Sequence, residues 1–256
     1  MSTKARRRKG SGSSGRRELR KRVVPDMLPT LQQGLPRTEP LTPQQIERID
    51  EESMKVLEDV GVVFRDPLAL KHWKEAGAKV VGETVYADRG LVKELISSIP
   101  NHITLHARNP EKTVDVGGKN SIFVPMTGAP YLRDLEGVRR LPGIEDLGTF
   151  HKLSHMMPAI HSSAHHIVEP MDLPVAWRHL HITYSSMKYS DKTFMGMTTS
   201  GKNAEDVMDM CGILFGEAYM EDHAVVTGNV NGTHLWSGMK QCSVRFVRSL
   251  KRISRY

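Results

Sequence analysis

The feature that most limits what this chain can become is a change of rhythm near residue 121. From there, strand-like stretches at 121–125, 159–168, 193–199 and 223–231 alternate with helix-like stretches at 144–156, 174–189 and 203–216. Strands separated by helices of that length cannot pair as hairpins. They predict βαβ crossovers and a parallel sheet. Ala224-Val225-Val226-Thr227-Gly228 is small or apolar almost throughout, as a strand covered on both faces must be. Only four such strands fit in 256 residues. An eight-stranded barrel takes roughly 250 residues for itself, so two architectures stay open: a smaller doubly wound sheet, or part of a barrel.

Upstream the units are shorter. Five prolines between Pro25 and Pro43 predict an extended linker. Thr42-Pro43 then supplies an N-cap and a first-turn proline for a helix whose apolar face runs Ile46, Ile49, Met54, Val56, Leu57, Val60 and ends at Gly61. Val62-Val63-Phe64 reads as a short strand, and Asp66-Pro67 opens a second helix that runs to Gly77. A hairpin is expected over 80–86, a third helix over 91–99, and further strands at 103–106 and 113–116. The lead-in is therefore α+β.

Charge excludes one function class. The chain has 36 Lys and Arg against 29 Asp and Glu, a net +7, but residues 1–22 hold ten basic residues and one acid, and residues 233–256 hold six basic residues and no acid. The body between them carries 20 basic and 28 acidic residues, a net −8. An acidic body with two cationic ends does not offer the clustered Lys/Arg face of a folded nucleic-acid-binding domain. The first 22 residues read as a disordered cationic arm, with a tether to a polyanion or a membrane surface as the alternative. No apolar run approaches the roughly 20 residues that span a bilayer, and the N-terminus lacks the apolar stretch of a secretory signal. Two cysteines, Cys211 and Cys242, make neither a disulfide framework nor a four-thiolate metal site, consistent with a cytoplasmic setting.

In parallel α/β sheets, ligands meet the C-terminal ends of the strands. That rule selects Met126, Thr127 and Gly128, then Glu169, then Thr198 and Thr199, then Asn229 and Asn231. Glu169 is the single acid among them, placed to orient a polar or cationic substrate, or else an ordinary loop carboxylate. Gly128 suits a tight turn or close backbone approach. Asn229 and Asn231 fall on the same face of their strand. His151 and His155 stand i, i+4 on one helix, and His161, His165, His166, His179 and His181 follow. They fall on different faces with no glutamate between the helical pair, so no metal site is expected. The methionines of 195–220 read as core filling. Ser185, Ser186 and Cys211 show no local base, so no covalent nucleophile is expected.

Several segments, in order, carry a family resemblance: Val56-Leu57-Glu58-Asp59-Val60-Gly61-Val62, Leu105-His106-Ala107-Arg108-Asn109-Pro110, Gly128-Ala129-Pro130, Val168-Glu169-Pro170, Arg178-His179-Leu180, Ser190-Asp191-Lys192-Thr193-Phe194-Met195-Gly196 and Asn229-Val230-Asn231. Over residues 56–232 the chain resembles the trimethylamine methyltransferase superfamily. The resemblance implies a (β/α)8 TIM barrel behind a helical α+β N-terminal region. It also implies transfer of a methyl group from a methylated or quaternary amine, such as trimethylamine or a betaine, to a corrinoid protein. On this reading the chain binds no cofactor itself, since the cobalamin-type corrinoid belongs to the partner. Glu169, Thr127, Gly128, Asn229 and Asn231 would bind substrate, and the catalytic residues stay unassigned. Neither nucleic acid nor membrane is a partner, and the full-length form is open to homo-oligomerisation.

The implied organisation is a basic arm and Pro-rich linker over 1–40, an α+β lead-in over 41–115, the first part of a barrel over 116–232, and a distinct tail over 233–256. The resemblance stops after Asn231. Restoring one nucleotide near Gly232 turns the codons of the tail into Asn-Ser-Pro-Leu-Val-Trp-Asp-Glu-Thr, an acidic text that resembles the family's continuation. The expectation is therefore a shifted frame and an inactive N-terminal half, against the alternative of a divergent tail. The rival reading of the whole is a small α/β binding module whose cationic ends dock on an anionic partner.

Overall fold

A computed structural model of the chain describes residues 26–36 and 38–228. The expectations for the basic arm, for Asn229 and Asn231 and for the frame of the tail lie outside those residues.

The architecture is mixed α/β. Leu31–Gln32 (β1) pairs antiparallel with Asn120–Ser121 (β7), which extends the hairpin of His102–Leu105 (β5) and Val114–Gly117 (β6). Helix α1, Pro43–Lys55, starts where Thr42 and Gln45 cap each other: the Gln45 amide donates to Thr42 Oγ1 (3.3 Å) and the Thr42 amide to Gln45 Oε1 (2.8 Å). It continues as a π-helical turn, Val56–Val60, and stops at Gly61, whose φ of +74° only glycine adopts without strain. Val62–Val63 (β2), Lys79–Val81 (β3) and Thr84–Tyr86 (β4) form a small antiparallel sheet in the order β2-β4-β3. Against it stands α2, Pro67–Glu75, capped by Asp66, and α3, Arg89–Ser97, capped by Asp88, follows β4. A hairpin missing from the sequence reading, Leu132–Arg133 (β8) with Arg139–Arg140 (β9), precedes α4.

The predicted crossovers are present. Residues 123–129 lie beside 161–169, which lie beside 193–196, which lie beside 224–228, each segment parallel to its predecessor. The Gly128 amide donates to the His166 carbonyl (2.7 Å), and the Met195 amide to the Ala164 carbonyl (3.3 Å). Met195–Gly196 (β10) pairs in register with Thr227–Gly228 (β11). The connections carry α4, Ile144–Met156, α5, Val175–Tyr189, and α6, Gly201–Phe215. A short α7, Glu217–Asp222, follows α6 and was not foreseen. Sequential neighbours joined by helices form a parallel set of segments, the arc. Among the described residues the arc is open and no barrel closes.

The long strand expected over 159–168 is corrected to isolated bridges, Ser162 to Thr193 and Val168 to Ala129. The cause is local. The Ser162 and Ser163 hydroxyls both donate to the Thr193 carbonyl (3.0 and 3.3 Å), competing with the ladder. Between them and the histidines, Ala164 takes φ +56°, a left-handed backbone that a side chain normally avoids.

The core sits between the arc and its helices. Leu147, Val168 and Ile182 form one cluster, with Ile144, Phe150, Ile167 and Met197 packed around it. Met187, Phe194, Val207, Cys211 and Val225 form the other, filled out by Met210 and Met220, so several methionines of the 195–220 run do pack as core. At Gly196 a Cβ would stand 2.6 Å from Val207 Cγ1, so the strand approaches α6 closer than any other residue permits.

Candidate functional site

Two of the predicted residues come together at the C-terminal end of the arc. Gly128 (φ +80°) and Glu169 are tied by the ladder itself, since the Glu169 amide donates to the Ala129 carbonyl (3.0 Å). Glu169 Oε1 accepts a hydrogen bond from Arg178 Nη1 at 2.6 Å, and Oε2 stands 3.6 Å from His166 Nε2. A Cβ on Gly128 would stand 3.4 Å from that same nitrogen, so the glycine leaves room for the imidazole. Met126 and Thr127 are exposed beside this group, and Thr199 lies further along, where its hydroxyl accepts from Asn203 Nδ2 (2.8 Å).

Arg178 is the residue that sequence reasoning missed here, although its position in an Arg-His-Leu motif was a usable signal. It stands on the first turn of α5 and also donates from Nη2 to the Leu173 carbonyl (2.8 Å). Glu169 and Arg178 side chains are 19% and 13% exposed, so the ion pair is shielded, with Oε1 on Arg178 and Oε2 beside His166. Burial lowers the pKa of His166 against the pull of Glu169, so the ring is neutral at neutral pH. Among the described residues the charge of Glu169 is therefore balanced by Arg178.

The histidines serve the scaffold. His151 on α4 is fully buried; its Nδ1 meets Ser185 Oγ (2.9 Å) and its Nε2 the His165 carbonyl (2.7 Å). Ser186 Oγ also reaches its Nε2 (3.2 Å). The serines have no local base, as expected, but α4 brings a histidine to them across 34 residues. The trio is sealed, however, and burial pushes His151 down to about 4, so it pins α4 to α5 instead of activating a nucleophile. His165 is likewise pushed down to about 4 by burial and by its two histidine neighbours. His179 meets Asp206 (2.8 Å), and burial raises the Cys211 thiol to about 12. Among the described residues no three metal-binding side chains converge.

Two of the motifs that carry the resemblance meet at the opposite, N-terminal edge of the arc. Arg108 donates to the Met187 carbonyl (2.9 Å) and the Ser190 carbonyl (3.3 Å), which end α5. Lys112 Nζ lies 2.5 Å from Asp191 Oδ1, and the Asn109 amide donates to the Asp191 carbonyl (3.1 Å). Burial alone would raise the Asp191 pKa, yet the hydrogen bond and charge of Lys112 hold it below the usual carboxylate value. Lys192 donates to the carbonyls of Ser154 (2.8 Å), Met157 (2.7 Å) and Ile160 (2.6 Å), closing the C-terminal end of α4. Burial and then the Lys112 charge pull this amine down to about 8, so at neutral pH it is protonated with an acceptor for every N–H. These motifs hold the lead-in to the arc.

Comparison with known proteins agrees with this geometry. The family model described as trimethylamine methyltransferase (MTTB) matches residues 7–239. The glycine betaine methyltransferase of Desulfitobacterium hafniense (strain Y51) is 42% identical over 184 residues, 72% of this chain and 38% of that one. The L-carnitine:corrinoid methyltransferase of Eubacterium limosum is 28% identical over 109 residues, 42% of this chain and 22% of that one. The matched stretch thus covers well under half the length of either relative. With most of its length inside the family model, and with a relative 42% identical over 72% of it, this chain belongs to the trimethylamine methyltransferase family.

Proposed function

We propose that the arc is the first part of a (β/α)8 barrel that holds a quaternary amine at its C-terminal mouth for methyl transfer to a corrinoid carried by a partner protein. The observation that carries the reading is the Glu169–Arg178 pair: a shielded carboxylate fixed by an arginine at the strand end where such barrels bind ligands.

The chemistry asks little acid-base work of the protein. A quaternary ammonium has no N–H, so it is held by carboxylate charge and ring faces instead of hydrogen bonds. When the N–CH3 bond breaks, its electron pair stays on nitrogen and a neutral tertiary amine leaves without needing a proton. The corrinoid supplies the nucleophile that takes the methyl group. What this chain contributes is position. Glu169 Oε2 faces the cation, and Arg178 locks Oε1 so that the carboxylate cannot swing. Thr127 and Gly128 line the approach, while Asn229 and Asn231, the other expected substrate contacts, lie outside the described residues. Because Arg178 neutralises Glu169, the pair suits an amine that carries its own carboxylate, as glycine betaine and L-carnitine do. A reducing compartment, the cytoplasm, suits a reduced corrinoid.

Calorimetric titration tests this on the full chain. Glycine betaine should bind, and Glu169→Gln should weaken it at least tenfold, about 1.4 kcal/mol. Failure of every quaternary amine in a broad panel to bind would overturn the reading.

A further inference from the structure

Helix α1 is poorly supported by the rest of the molecule. Thirteen residues are marginal as an isolated helix in water, and none of those in α1 is buried. Its links to the body lie on one side and at its end: Asp50 pairs with Arg89, Glu58 Oε1 accepts from the Arg89 amide (2.6 Å), and the Leu57 carbonyl accepts from the Ala87 amide (3.2 Å). Along another side, Leu41, Gln45, Arg48, Ile49, Glu52, Ser53 and Val56 line an open groove of about 550 Å³. Those positions recur every three or four residues, which is a single stripe of a helix surface. Leu41, Ile49 and Val56 are 42%, 56% and 53% exposed within it.

We propose that a second copy of this chain covers that stripe, helix α1 against helix α1 about a two-fold axis. The charges choose the occupant. The stripe carries one cation and one anion a turn apart, Arg48 and Glu52; Arg48 attracts Glu52 within its own chain, and Glu52 is also held by Lys55 at 2.9 Å. In a two-fold contact the same patch faces itself, so a stripe with both signs off-centre is self-complementary. In the antiparallel register that sets Arg48 across from Glu52 of the second copy, two equivalent ion pairs form. Ile49 then meets its counterpart near the axis, and Leu41 lies over the Val56–Val60 turn of the second copy. An apolar occupant such as a lipid surface would strand both charges. The basic N-terminal arm, ten cations to one acid, would leave Leu41, Ile49 and Val56 uncovered.

Sedimentation velocity on the full chain tests this, because association through one patch is concentration-dependent. The expected result is a monomer–dimer equilibrium that Ile49→Glu shifts to monomer with the far-ultraviolet dichroism unchanged. Arg48→Glu should weaken the dimer at least tenfold, and Arg48→Glu combined with Glu52→Arg should restore it, since the swap re-forms both ion pairs. A chain that stays monomeric up to about 100 µM overturns the proposal. So does a dimer indifferent to Ile49→Glu and to the charge swap, or one that disappears when residues 1–22 are removed.

Discussion

Single residues decide more here through hydrogen-bonding demand than through chemistry. Lys192 reads as a charged residue beside an apolar strand, yet it ends up 3% exposed with three helix-end carbonyls around its amine. Lys192→Met would keep the volume and orphan those acceptors, so a loss of about 3 kcal/mol is expected in urea denaturation. Ala164 makes the opposite case. Its left-handed φ costs about 1–2 kcal/mol, so Ala164→Gly should raise stability by about 0.5–1 kcal/mol despite the added chain entropy. A thermal midpoint that falls would show that the backbone there is not strained. The buried histidines set an acid limit. His151 and His165 titrate near 4 in the folded chain, below the ordinary 6.5, so the unfolded chain takes up protons first as pH falls. Stability is intact above 6.5 and declines from there towards 4, by up to about 1.4 kcal/mol per pH unit for each ring. Thermal melts across that window give the slope, and a flat profile would exclude the assignment. Glu169 was legible from its place after a strand. Arg178 was not, because an arginine at a helix start looks like any solvated charge until its partner is located.

At the level of elements, helices were easier to read than strands. The limits of α4 follow from its own caps, Asp146 on the Gly143 amide (2.9 Å) and the more distant Asp172 on the Ile144 amide (3.0 Å). The hydrophobic period, which is local, had already placed the helix. Strand 159–168 was over-read because an apolar run says nothing about which hydroxyls will compete for the neighbour's carbonyls. The strand-to-helix contact at Gly196 is the tightest such approach in the arc. Gly196→Ala should cost about 1–3 kcal/mol by overpacking against Val207. Val207→Ala in the same chain should recover part of that loss in chemical denaturation, since it removes the methyl group that clashes. If the two changes simply add, the contact is not the cause.

At the scale of the whole molecule, the buried apolar clusters lie between the arc and α4–α6, while α2 and α3 bury no residue. Amide exchange should therefore be slowest in α5 and in the arc segments and distinctly faster in α2 and α3, because opening free energy follows buried contacts. Uniform protection would argue for a core that reaches into the lead-in. By itself the sequence determined the class of fold and the family: helix period, strand composition and turn residues are local properties, and a parallel α/β order follows from their alternation. The quoted motifs also pointed to the right superfamily without revealing what they do. Only the tertiary structure decided that Asn109 and Lys112 close on Asp191 and Arg108 on the Met187 and Ser190 carbonyls across some 80 residues, that a histidine from α4 faces the α5 serines, and that Arg178 neutralises Glu169. Each of these pairings depends on how helices cross the arc. That geometry is set by the packing of the core and is encoded in no single stretch of chain.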